Sequence, residues 1–409
     1  MRIKVKSGDN TMQAKQVLHK LIINTCQGVH KARRNALEAN VLAALTGRRL
    51  TVTDLGRAIK SNTSHKHGIK RADRLLSNPH LHNECISIYQ AQSHQLIGTQ
   101  KRPVVLVDWS DMDEYKQHFL VRAALAVEGR SMTLYEEVHT VKSKEKLTTH
   151  KQFLLQLKSI LPEDCKPIIV TDAGFRTTWF KLVESMKWDW VGRVRNRHHM
   201  RWTQGGPWFD AKKCYNKASS TPTFLGNGIL TRRHQHACQF VTYQGKRQGR
   251  KHKNRLGEVA KNSHSRKQAA GQREPWLLAT SLPVTSKMAK KVVKIYRSRM
   301  QIEESFRDVK SHRFGLSLTY HCTYSIERLQ ILLLIATLAL MVLWLLGMAV
   351  ILLKQHYQFQ ANTVRYKKVL SIIFIGLQMV SETKIRLSSD DILSAWEQLN
   401  VLQQRQWWD

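Results

Sequence analysis

The sequence predicts an α/β fold: a mixed sheet flanked by helices, interrupted by a β-rich insertion, with helical parts at both ends. Three observations carry this. Residues 1–95 have helical spacing, a basic surface and few strand-like runs. From Pro103, short apolar runs alternate with segments of helical period. Between Arg195 and Pro275 that order is lost, and short strand-like pieces flank a polar, basic stretch. The 409-residue length is enough for two or three domains with a sizeable core.

In chain order, the segment Asn40–Leu45 reads as a short apolar helix. Thr51–Ile59 reads as a second, with Thr51 or Thr53 as N-cap. A third carries His65, Lys66, Lys70, Arg71 and Arg74 outward, with Ile69, Leu75 and Leu76 inward. Short helices ending in a basic one resemble a helix-turn-helix, and a helical bundle with a charged face has the same local signal. Strands are then expected at 104–108, 119–127 and 131–138, the last two joined by a Glu128-Gly129 turn. A helix over 150–161 stops at Pro162. A strand at 167–171, a helix over 177–188 and a strand at 190–194 follow. Three strands in meander, then helix, strand, helix, strand is the ribonuclease-H-like order. Beyond it come strand-like pieces at 223–230 and 238–243, a basic low-hydrophobicity loop from Lys246 to Lys267, and a strand at 276–280. One helix over 286–312, an apolar helix and a helical end complete the chain. The expected division is 1–98 (helical), 99–199 with 276–355 (ribonuclease-H-like), 200–275 (β-rich insertion) and 356–409 (helical).

Lys and Arg number 66 against 30 Asp and Glu, a net charge of +36. Such an excess implies a polyanionic partner, and nucleic acid is the usual one. The six cysteines are widely separated, with no C-x-x-C pair, which fits free thiols in a reducing cytoplasm. Ile331–Leu353 is apolar apart from Thr337 and long enough to span a bilayer. A helix apolar all round is equally the buried centre of a large domain, and no second comparable segment occurs.

Three acids stand out. Asp108 and Asp172 each end an apolar strand-like run, where a carboxylate is held firmly in space. Glu303 lies in Tyr296-x-x-Arg299-x-x-x-Glu303-x-x-x-x-x-x-Lys310. At helical spacing Tyr296, Glu303 and Lys310 share a face, Arg299 adjoins Glu303, and Glu304 turns away. Oxygen-only ligands of this kind suit a pair of Mg²⁺ ions acting on phosphodiesters. A strand-end turn former and an i,i+4 ion-paired helix are the plainer readings of the same residues. Arg193 and Arg195 are candidate phosphate contacts or simply a solvated strand face. His234, His236 and Cys238 alternate like zinc ligands but lack an evident fourth.

The segments VLVDWSD (105–111), VTDAGF (170–175) and YRSRMQIEESFRDVK (296–310) resemble the signature segments of DDE transposases of the IS-four family, nearest the IS-ten type. The likeness runs from about residue 40 to 380. It implies a ribonuclease-H-like fold split by an insertion, and cut-and-paste transposition. Asp108, Asp172 and Glu303 match the metal triad for Mg²⁺, with Mn²⁺ expected to substitute. Tyr296, Arg299 and Lys310 match residues on the transposon end. A nicked 3′-hydroxyl would form a hairpin on the opposite strand, with a flipped base stacked on tryptophan. Trp276 is the candidate, a core tryptophan being the alternative, while Trp109 is expected in the core. Lys70, Arg71 and Arg74 are expected on the terminal inverted repeat. The expected partners are double-stranded DNA, both transposon ends and target, and a second copy in a synaptic dimer. The expected place is the bacterial cytoplasm at the nucleoid, with no membrane. A ribonuclease-H-like nuclease without strand transfer and a non-catalytic DNA-binding protein are the other functional readings.

Overall fold

The computed structural model describes residues 9–195, 198–245, 258–259, 262–263, 274–364, 366–381 and 385–405. The expected basic loop Lys246–Lys267 falls almost wholly outside them. The chain forms two compact units, Met1–Cys165 with Met300–Asp409, and Lys166–Arg299.

The first unit opens with five helices, α1 (Asp9–Thr25), α2 (Lys31–Gly47), α3 (Val52–Ala58), α4 (His65–Leu76) and α5 (Pro79–Ile97). The expected Asn40–Leu45 helix is the second half of α2, whose polar first turns carry no apolar period. Thr51 caps α3, its Oγ1 accepting from the Asp54 N–H at 3.0 Å. Helices α3 and α4 cross backbone to backbone: a Cβ on Gly56 would stand 2.3 Å from Ile69 Cα, and one on Gly68 2.2 Å from Gly56 O. On α4, Leu75 and Leu76 are buried, Ile69 half-buried, and Lys66, Lys70, Arg71 and Arg74 exposed.

Strands β1 (Val104–Asp111), β2 (His118–Ala126) and β3 (Ser131–Thr140) form an antiparallel meander, with β2 central. Gly129, at φ 75°, turns β2 into β3, closed by the Val127 N–H on Arg130 O. One expectation needs correcting: Asp108 does not end its strand. Pairing with β2 continues to Asp111 opposite Phe119, because backbone pairing persists after the side chains become polar.

Helix α6 (Leu147–Ile160) follows. The unit resumes with α9 (Met300–Lys310), α10 (Ile326–Leu352), α11 (Ile372–Ser381) and α12 (Ser389–Arg405). Helix α10 is long and apolar enough to cross a membrane, yet 89% of its most apolar window is buried inside the protein. Gly347 and Gly376 let α10 and α11 touch backbone to backbone. Thr337, its one polar side chain in 331–353, donates to Glu136 Oε1 at 2.7 Å. That carboxylate also takes the Tyr89 hydroxyl (3.1 Å) and forms a fully buried pair with Arg122 (2.6 Å). Here the helix is a wall of the core.

The second unit is one mixed sheet of order β4-β5-β10-β9-β8-β6-β7. Strand β4 (Ile168–Thr171) runs parallel to β5 (Asp189–Val194), joined through α7 (Thr177–Ser185). Phe180 of α7 stacks on Trp190 at 3.9 Å and 7°, fixing helix to sheet. The insertion supplies β6 (His199–Trp202), β7 (Phe209–Asp210), β8 (Thr223–Leu230) and β9 (His236–Tyr243). These strands extend the same sheet, since β9 pairs with β10 (Trp276–Thr280). Helix α8 (Met288–Arg297) closes the unit.

The single helix expected over 286–312 is two, α8 and α9. Ser298 Oγ donates to the Ile295 carbonyl at 2.7 Å, and the Ser298 and Arg299 N–H groups bond three residues back. This tight turn ends α8. Tyr296 thus belongs to α8, while Glu303 and Lys310, seven residues apart, share one face of α9. Meander, crossover helix, parallel pair and flanking helices make a mixed α/β protein consistent with a ribonuclease-H-like fold.

Candidate active site

In the first unit, β1 presents Asp108 half-buried, in register with Arg122 of β2. Its Oδ1 accepts the N–H of Trp109 at 2.8 Å. Arg122 is wholly buried; its guanidinium lies 5.0 Å from the Phe306 ring of α9 and is paired with Glu136. Helix α9 packs on all three strands. Three of its side chains bind it to the β2–β3 turn. Gln301 Oε1 accepts from Val127 N (2.9 Å), Ser305 Oγ donates to Ser131 O (3.0 Å), and Asp308 takes Arg130 through both oxygens (2.6 and 3.4 Å). Spaced four and three residues apart, these anchors form one stripe. That phase turns Glu303 to the opposite, exposed side. Glu304 is occupied by Arg130 and Arg307, at 3.7 and 2.9 Å.

At the far end of α9, the half-buried Lys310 donates to Ser110 Oγ of β1 at 2.7 Å. Burial pushes the Lys310 ammonium down to about 8, against the pull of Asp111 and Asp108 and with a push from Arg122. Lys310 thus stands within electrostatic reach of Asp108.

In the second unit, Asp172 directly follows β4. Its Oδ1 accepts the Gly174 N–H at 2.8 Å, a local turn that fixes the carboxylate. Tyr296 of α8 is buried, and burial holds its hydroxyl above the ordinary value. Arg299 and Arg193 lower it, and Asp172 raises it further. Arg299, Arg193 and Asp172 are thus all electrostatic neighbours of Tyr296. Trp276 opens β10 half-buried, edge-on to Tyr296 (4.9 Å, 75°) and tilted on Tyr243 (5.7 Å, 53°). Arg193 in β5 and Arg195 just past it both reach Glu274 Oε2, at 3.3 and 2.5 Å. Two guanidiniums on one carboxylate keep this edge positive.

Other expectations turn out differently. Trp109 is half-buried, its Nε1–H donating to His150 Nε2 at 3.2 Å. Burial, then His139, pushes His150 down to about 4, leaving it neutral and able to accept. His236 is taken by Glu184 at 3.1 Å, Cys238 is buried beside it on β9, and His234 lies in the preceding turn. Among the described residues no group of three or more His, Cys, Asp or Glu side chains is poised to hold a metal ion.

The sequence reading missed Ser110, Arg122, Glu136, Glu274 and Tyr243. Arg122 and Glu136 were visible as charges inside otherwise apolar strands; the others act through distant partners that spacing does not show.

A family model of the transposase DDE domain matches residues 99–341. No curated protein matched the chain. All three acids and the whole Tyr296-to-Lys310 pattern lie inside the matched span, and the chain belongs to the DDE transposases, DNA-binding enzymes that cut nucleic acid and transfer strands.

Proposed function

We propose that this transposase is of the IS-four type, nearest the IS-ten type, and moves its element by cut-and-paste through a hairpin intermediate. It acts as a homodimer on paired terminal inverted repeats and on target DNA, at the nucleoid of the bacterial cytoplasm. The observation that carries the reading is the Lys310–Ser110 hydrogen bond (2.7 Å), which draws the end of the Glu303 helix against the strand of Asp108.

Asp108, Asp172 and Glu303, which form no three-residue metal cluster among the described residues, would hold the divalent metal on bound DNA. Their donor set is all oxygen, which fits hard Mg²⁺ or Mn²⁺ and not a zinc site. When bound, such ions polarise the scissile phosphate and activate the attacking oxygen. The other roles belong to the chain's own side chains. Lys310 offers an ammonium to phosphate oxygens beside Asp108. Arg193 and Arg299 offer guanidiniums to phosphate near Asp172, and Tyr296 offers a hydroxyl kept protonated by burial. Trp276 supplies a ring face for an unpaired base.

The test uses a duplex transposon end, read separately for binding, first nick, hairpin and joining. Asp108→Ala, Asp172→Ala and Glu303→Ala should each slow nicking at saturating Mg²⁺ by at least about 10²-fold, the scale of removing one preorganised electrostatic group, with binding retained. Nicking that survives any one change removes that acid from the set. Trp276→Ala should slow hairpin formation more than the first nick, by about 5- to 100-fold, the scale of one lost base stack. Equal slowing of both steps rejects the stacking role.

A further inference from the structure

We infer that Ser110 is a positioning residue for cleavage: it holds the Lys310 ammonium beside Asp108, ready for the phosphate. The inference rests on the proposed roles of Asp108 and Lys310. Three observations carry it. Ser110 lies two residues beyond Asp108 on β1, and unbroken pairing with β2 over residues 105–111 keeps the two side chains on one face of the sheet. Lys310 Nζ donates to Ser110 Oγ at 2.7 Å, a short, charge-assisted bond across 200 positions of sequence. The lysine is half-buried at the last residue of α9, its Nζ 5.8 Å from the Phe306 ring.

The chemistry is that of pre-ordering. A lysine side chain has four rotatable bonds, and an ammonium left to water samples many positions. Here the ammonium sits 5.8 Å from the Phe306 ring centre and one N–H is committed to Ser110. The other two N–H donors are left on a group whose position is already set. A phosphate arriving at Asp108 then meets a fixed cation and does not have to order a loose one. Threonine offers the same acceptor and should serve in its place; alanine should not.

The experiment compares wild type, Ser110→Ala, Ser110→Thr, Lys310→Met and the double variant Ser110→Ala with Lys310→Met. The readouts are end-DNA affinity and single-turnover nicking rate on a duplex end with Mg²⁺. Ser110→Ala should slow nicking about 10- to 100-fold, the range for losing a hydrogen bond to a charged group, with affinity changed less than about threefold. Ser110→Thr should restore most of the rate. In the Lys310→Met background, Ser110→Ala should add less than about twofold. Nicking unchanged or faster in Ser110→Ala, with Lys310→Met slow, overturns the positioning role alone. Independent, additive losses from the two changes also overturn it. Full activity in Lys310→Met overturns it together with the proposed role of Lys310.

Discussion

At the residue scale, position matters more than identity for the acids. Asp172 shows why: its carboxylate is fixed by a bond to the Gly174 N–H two residues on, and a Cβ at Gly174 would stand 3.0 Å from that same oxygen. Gly174→Ala should therefore leave the fold intact and displace Asp172. Misplacement by about 1 Å at a reacting centre costs about 10²-fold in rate, so nicking should fall by one to two orders of magnitude with Tm nearly unchanged. Wild-type nicking in this variant would show that the turn does not set the carboxylate. The acids themselves were legible in the sequence, because each adjoins an apolar strand or sits in a dense charged pattern. Their supports were not. Arg122 stands opposite Asp108, and Ser110 meets Lys310, only through pairings between distant segments.

At the element scale, most strands and helices were legible, with ends shifted by a few residues. Thr223–Leu230 and Trp276–Thr280 form with the expected bounds, because apolar alternation and turn residues agree there. The failure over 286–312 has a local cause. Ser298 takes a helical carbonyl with its own hydroxyl, and periodicity does not register that competition. Helix α9, once separate, is held by its clamp, and Asp308 is the titrating member. Burial pushes the Asp308 carboxyl up to about 6, although Arg130 pulls it down. A carboxyl held above its unfolded value contributes stability that is fully present below the ordinary 3.8 and is lost as pH rises through about 6. Relative to Asp308→Asn, which cannot ionise, the wild type should lose stability between pH 4 and 7. Unfolding by urea at several pH values measures this difference. A difference that stays flat, or that grows in favour of wild type toward pH 7, would contradict the burial of this group.

At the scale of the whole molecule, composition alone announced the partner: +36 on 409 residues calls for a polyanion, and the family supplies DNA. Composition does not say which cations meet it. At α4, Lys70, Arg71 and Arg74 are exposed while Leu75 and Leu76 anchor the helix inward. Each phosphate neutralised releases counterions, so the logarithm of affinity falls with the logarithm of salt by about 0.9 per contact on duplex DNA. If all three side chains touch phosphate, replacing them with alanine should flatten the slope for end DNA by about 2.7. If one reads a base edge instead, the slope changes less and discrimination between end and unrelated DNA falls. Anisotropy titrations of both DNAs at four or five salt concentrations separate these cases. A slope and a discrimination ratio both equal to wild type would move end recognition off α4. The +36 charge would then act through other surfaces.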